Sequence, residues 1–89
     1  MVANALDLSS GLVRDWIPVT TSDSTDNMGI SSENQVVGFY VTSGGAVVFT
    51  VDGVDRTVTF PSNYMVPCSN VTRIKATGTG ATGIFSLVI

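Results

Sequence analysis

The run AVVFTVDGVDRTVTF, residues 46–60, decides how the chain is read. Val47, Phe49 and Val51 alternate with their neighbours, and Val54, Val58 and Phe60 take up the alternation again after Asp52-Gly53. A period of two puts each set on one face of a pleated strand. Asp-Gly between two such runs is the strongest short-range hairpin signal, because both central positions of the tight turn need positive φ. The stretch is therefore expected to form an antiparallel hairpin.

The flanking sequence carries the same pattern. Upstream, VVGFYVT (36–42) sets Val37, Phe39 and Val41 on one face. Downstream, Pro61-Ser62-Asn63 turns the chain and YMVPCS (64–69) forms a short strand ended by Pro67. NVTRIKAT (70–77) places Thr72, Ile74 and Ala76 on one face and Val71, Arg73 and Lys75 on the other. GIFSLVI (83–89) groups Phe85, Leu87 and Ile89, and WIPVT (16–20) reads as a short strand that Pro18 confines to an edge or a strand start. Between them, TSDSTDNMGISSENQ (21–35) has the Ser, Asp and Asn density of a long surface loop. About six to eight short strands separated by turn chemistry indicate an all-β fold, a small antiparallel β-sandwich or barrel. Residues 16–89 are expected to form that single domain. Residues 1–15, with Leu6, Leu8, Leu12 and Val13 broken by Gly11, read as an N-terminal arm that either docks or stays disordered.

A chain of 89 residues makes a modest core, so a staple or a partner is worth seeking. Cys68 is the only cysteine and there is no histidine, which removes an internal disulfide and a Cys/His metal staple. Only 12% of the residues are charged, about half the usual share, which favours association with other copies or chains. A neutral surface rich in Ser and Thr is the alternative explanation. The net charge of −3 disfavours nucleic acid. No apolar run is long enough to span a membrane, and the N-terminal residues do not resemble a signal peptide, so synthesis in a reducing cytoplasm is expected.

Chemistry is thin. Without histidine the commonest general base is missing, and Lys75, the only lysine, has no marked serine partner, so no enzyme is expected. Asp23 to Asn27 offers oxygen ligands for calcium but lacks the spacing of a calcium-binding loop, and turn hydrogen bonding is favoured instead. Arg56, Arg73 and Lys75 could form a basic patch, with Arg73 and Lys75 on one strand face; the alternative is local pairing, Asp52 and Asp55 lying near Arg56, or simple solvation. Asn70-Val71-Thr72 matches a glycosylation acceptor in a strand, a chance match. KATGTGATG (75–83) has the glycines of a phosphate loop but the lysine before them and a strand after, so it is expected to turn the chain between the last two strands. Trp16 and Tyr64 are candidate interface anchors, with core packing as the alternative.

From residue 19 to the end the sequence also resembles a family of bacteriophage and prophage virion proteins: head spike base, fibre or decoration components, with a relative in gene transfer agent particles. The resemblance runs through VTTSDSTD (19–26), GFYVTSGGAVVFTVDG (38–53), RTVTF (56–60) and VPCSNVTRIKATGTGATGIFSLV (66–88), in that order. Arg73, Ala76-Thr77-Gly78-Thr79 and Ala81-Thr82 occupy the positions of the family's closing motif. Thr42 stands where members often carry glycine, and Pro61-Ser62-Asn63-Tyr64 where they carry a Pro-Ala-Gly turn. The resemblance implies a structural protein on the exterior of a tailed-phage capsid, made in the host bacterial cytoplasm, which decorates or cements the head. A head spike base or fibre component with a receptor- or glycan-binding role is the alternative. The partners it implies are the major capsid protein, further copies in a homotrimer, and other head spike or fibre proteins. No nucleic acid, membrane, cofactor, metal or catalytic residue is expected. Leu6, Leu8, Leu12, Val13, Trp16 and Tyr64 are the candidate capsid or subunit interface.

Overall fold

A computed structural model describes residues 13–89; Leu6, Leu8 and Leu12 of the expected arm lie outside them. Seven strands follow in chain order: β1 Asp15–Pro18, β2 Val36–Ser43, β3 Gly45–Val51, β4 Val54–Phe60, β5 Tyr64–Pro67, β6 Val71–Ile74 and β7 Thr82–Val88. They make two antiparallel sheets, ordered β1-β7-β2-β5 and β4-β3-β6. The fold is all-β and two-layered, a small sandwich. Val13 to Asp15, read in the sequence as arm, already belong to it: the Arg14 amide donates to the Val88 carbonyl at 2.7 Å, and Asp15 opens β1.

The hairpin forms as its sequence predicts. Val51 pairs with Val54, and Asp52 and Gly53 take φ of 51° and 79°, the left-handed values that a tight two-residue turn needs. Core residues come from both inner faces. Phe39 and Val41 of β2, and Ile84 of β7, pack against Val47 and Phe49 of β3, while Met28 of the long loop is fully buried among them. The rings bridge the sheets, with Phe39 to Phe49 centroids 5.3 Å apart and Phe39 to Phe60 5.8 Å apart at 85°. Offset and edge-on contacts of this kind add about 0.5–1.5 kcal/mol each to simple burial. Ser86 is the one buried polar side chain among the described residues, and its hydroxyl donates to the Met28 carbonyl at 2.7 Å. That bond removes the cost of a polar group in the core and pins the loop over the sandwich.

Two strands depart from simple alternation, each at a bulge. Val37 does not share a face with Phe39 and Val41. The β2–β7 register shifts between Val36 and Gly38, so Val36 turns into the core and Val37 turns outward beside Leu87. A bulge adds one residue to one strand and resets the alternation beyond it. Gly38 is required there, since a Cβ would stand 2.1 Å from the Val66 carbonyl oxygen. In β6 the register with β3 shifts between Thr50 and Val51, so Val71 and Ile74 both point inward, in place of the expected Thr72 and Ile74.

KATGTGATG joins β6 to β7, as expected, but these strands lie in different sheets, so it crosses from one layer to the other. On the way it lies along β3: the Lys75 amide donates to the Val48 carbonyl at 2.8 Å, the Gly80 amide to the Ala46 carbonyl at 2.8 Å, and the Thr79 hydroxyl accepts from the Val48 amide at 3.0 Å.

Candidate interaction surface

Strand registers fix which side chains share the outer face of the four-stranded sheet. Trp16 is opposite Leu87, Tyr40 is opposite both Phe85 and Met65, and Gly38 is opposite Pro67. Paired residues in an antiparallel ladder project to the same side. Pro18 lies opposite Phe85, and the bulge adds Val37. No charged residue stands on this face between β1 and β5. The outer face of the other sheet is different in kind: Thr50 faces Asp55 and Arg73, and Thr57 and Thr59 flank them. A two-layer sandwich usually turns polar residues outward from both sheets, so the neutral aromatic face is the exception to explain.

Its centre is an aromatic group. The Trp16 ring lies 5.0 Å from that of Tyr40 and 6.3 Å from that of Phe85. Val37 and Leu87 are buried beneath Val13, Tyr40, Met65 and Ile89. Trp16 remains 43% exposed, a large apolar ring held in place with much of its surface in water. The Tyr40 hydroxyl donates to the Asn63 side-chain oxygen at 3.2 Å, which orients its ring.

The candidate residues therefore separate. Val13 and Trp16 lie on this face. Tyr64 does not: it pairs with Val41, faces the inner side of an edge strand, and stacks on Phe60 at 5.8 Å. The sequence reading missed Tyr40, Met65 and Phe85. The signal was the failure of alternation in VVGFYV and GIFSLVI, where apolar residues occupy both faces, as they do in strands covered on both sides.

Asp23, Asp26, Asp55, Arg73 and Lys75 are used internally. Asp26 pairs with Arg73 at 2.8 Å, and Asp55 pairs with Lys75 at 3.2 Å while accepting from the Thr50 hydroxyl at 2.7 Å. The Thr50 bond and then the lysine hold the Asp55 carboxyl below its ordinary value. Asp23 accepts from the Thr77 hydroxyl at 2.6 Å and from the Thr77 and Ala76 amides at 2.9 and 3.0 Å, which lowers its own pKa. Within the loop, turn hydrogen bonds are accepted by the Ser22 hydroxyl, from the Ser24 and Thr25 amides, while its Asp23, Asp26 and Asn27 side chains reach across to residues 73–77. Its longest reach is to the KATGTGATG segment. Arg73 and Lys75 are drawn to different carboxylates, so they form local pairs.

Cys68 is half-buried; burial and then nearby Asp52 push its thiol pKa up, away from nucleophilic use. Among the described residues no group of three or more Cys, Asp or Glu side chains comes together. An open cleft of about 410 Å³ at one end of the sandwich is lined by Ile30, Asn34, Asp52, Asn70 and Thr72 among others, and Asp52 is its only ionisable group. Comparison of the chain with protein-family models, with characterised proteins and with solved structures finds no match.

Proposed function

We propose that the protein is a structural component of a tailed-phage virion that decorates the capsid exterior and stabilises the head. The reading starts from the resemblance carried by residues 19–88. The observation that supports it is the charge-free outer face of the β1-β7-β2-β5 sheet, centred on half-exposed Trp16. Burying aromatic and aliphatic surface against the major capsid protein would hold the subunit on the shell. Mass action then makes shell and decoration stabilise each other, because binding favours the folded and assembled state of both. Leu6, Leu8 and Leu12, in the segment leading into Val13 on that same face, are the proposed extension of the contact.

Co-sedimentation of the purified protein with undecorated capsids tests this, together with the temperature at which the shells lose integrity. Binding and a rise in shell stability are expected. Trp16→Ser should weaken binding by about tenfold or more, as for a central aromatic anchor, while leaving the fold intact. Failure to bind or stabilise shells, with retention on cell surfaces or glycans instead, would replace this reading with the spike or fibre one.

A further inference from the structure

Each sheet has two edges, and a free edge is a row of unpaired N–H and C=O groups that natural sheets shorten, interrupt or cover. Three of the four edges here are managed in those ways. β1 and β5 are four residues long, and each ends at a proline, Pro18 and Pro67, which cannot donate to a ladder. β6 is covered by the loop: the Ser22 amide donates to the Ile74 carbonyl, the Asn27 amide to the Thr72 carbonyl, and the Asn27 side chain bonds both backbone groups of Ile74 at 2.8 Å.

β4 is the exception. It runs seven residues, VDRTVTF, with no proline; Arg56, opposite Phe49, is its one inward charge, and no described residue pairs with its outer side. Which groups face outward follows from β3. Ala46 and Val48 spend their backbone groups on the segment beyond β6, so Val47, Phe49 and Val51 face β4. Their partners are Val58, Arg56 and Val54. The N–H and C=O groups of Asp55, Thr57 and Thr59 therefore point away from the sheet. The side chains give a second, independent sign. Val54 and Val58 share the inner face with buried Val47, yet they are 47% and 43% exposed, so the layer opposite leaves this overhang of β4 largely uncovered.

We infer that β4 pairs antiparallel with β4 of a second copy, joining two three-stranded sheets into one of six strands across a two-fold axis at Thr57. The pairing geometry and the charges select this register. Only outward-facing residues can form the hydrogen-bonded pairs, so Thr57 meets Thr57 of the second copy and Asp55 meets its Thr59. On the inner face Val54 then meets Phe60, and Arg56 lays its aliphatic stem on Val58. All seven residues are paired and no like charges oppose. An axis at Arg56 sets two guanidinium groups opposite each other, and an axis at Asp55 does so for two carboxylates. An axis at Val58 or Thr59 runs the ladder into Pro61. Asp55 adds no barrier in the chosen register, since Lys75 and Thr50 already hold its carboxylate. An isologous interface has to be self-complementary, and this strand is so in one register.

The inference stands apart from the capsid reading, since a monomer that binds shells would keep that reading and remove this one. Sedimentation velocity over a wide concentration range should show a monomer of 9.3 kDa passing to a dimer. Thr57→Pro removes an outward N–H without touching the β3 ladder, and should weaken the dimer by at least about tenfold with an unchanged far-ultraviolet spectrum. Val58→Lys, an inward charge on the overhang, should do the same and serves if the proline variant unfolds. In a Cys68→Ser background, Thr57→Cys should cross-link under mild oxidation. Its two Cα atoms would lie about 5.5 Å apart, within disulfide reach. Thr59→Cys, displaced by four residues from its counterpart, should not. A protein that stays monomeric, that forms trimers, that dimerises equally well as Thr57→Pro and Val58→Lys, or that cross-links through Thr59→Cys and not Thr57→Cys overturns the inference.

Discussion

Asp23 fixes the path of a segment 53 and 54 positions further along the chain, through the Ala76 and Thr77 amides. These bonds suit the ionised carboxylate, and the Thr77 hydroxyl contributes most to holding its pKa down. A folded pKa below the unfolded one means that the clamp stabilises the fold above the unfolded value, about 3.9. That contribution fades as pH falls through the lower, folded value. Carbon-detected titration by NMR should place the Asp23 carboxyl below the ordinary aspartate range. Protection of the Ala76 and Thr77 amides should hold at neutral pH and decline only in strong acid. Asp23→Asn keeps an acceptor but loses the charge, so it should lower that protection and remove its acid dependence. A carboxyl titrating at the ordinary value would show that the clamp does not operate in solution.

Elements were legible wherever alternation and turn chemistry agreed. Asp52-Gly53 announced the hairpin, and its geometry isolates one physical effect. A Cβ on Gly53 would meet nothing within 4 Å, so Gly53→Ala carries no steric clash with its surroundings. What it costs is the positive φ of 79° alone, about 1–2 kcal/mol for a residue with a side chain. Urea unfolding should give that loss with an unchanged slope; no measurable loss would mean that the turn relaxes to another type. The inner face of β3 could be read the same way, whereas in β7 the grouped Phe85, Leu87 and Ile89 proved to be the outer face, with Ile84, Ser86 and Val88 turned inward. The two bulges could not be read so, because an extra residue in a ladder is decided by the partner strand: Val37 turns outward where the β2–β7 register shifts, beside a Gly38 that lies close to the Val66 carbonyl. Sheet membership was hidden for a related reason. KATGTGATG looks like any turn, and its crossing between layers depends on the distant bonds to Ala46, Val48 and Asp23. Of the candidate surface, Val13 and Trp16 were visible. Tyr40, Met65 and Phe85 join it only once β2, β5 and β7 are known to be neighbours.

At the scale of the whole molecule, a chain this small divides its aromatic residues between holding itself together and presenting a surface. Phe39, Phe49 and Phe60 span the two sheets, and Phe39 is fully buried. Phe39→Ala should cost about 3–5 kcal/mol, the usual range for emptying a core phenylalanine. Domains hold roughly 0.05–0.15 kcal/mol per residue, so that loss takes a large part of the total stability and lowers Tm by tens of degrees. Trp16 is as large but lies on the outer face and is 43% exposed. Removing it leaves little cavity, and Trp16→Ala should cost less than about 1.5 kcal/mol. The comparison of the two variants by thermal and urea unfolding separates two roles for the outer face. A small cost for Trp16→Ala beside a large one for Phe39→Ala is what a surface kept for a partner requires. Equal costs would make Trp16, Tyr40 and Phe85 a second core that the isolated subunit needs for its own fold, and the neutral face would then call for no partner.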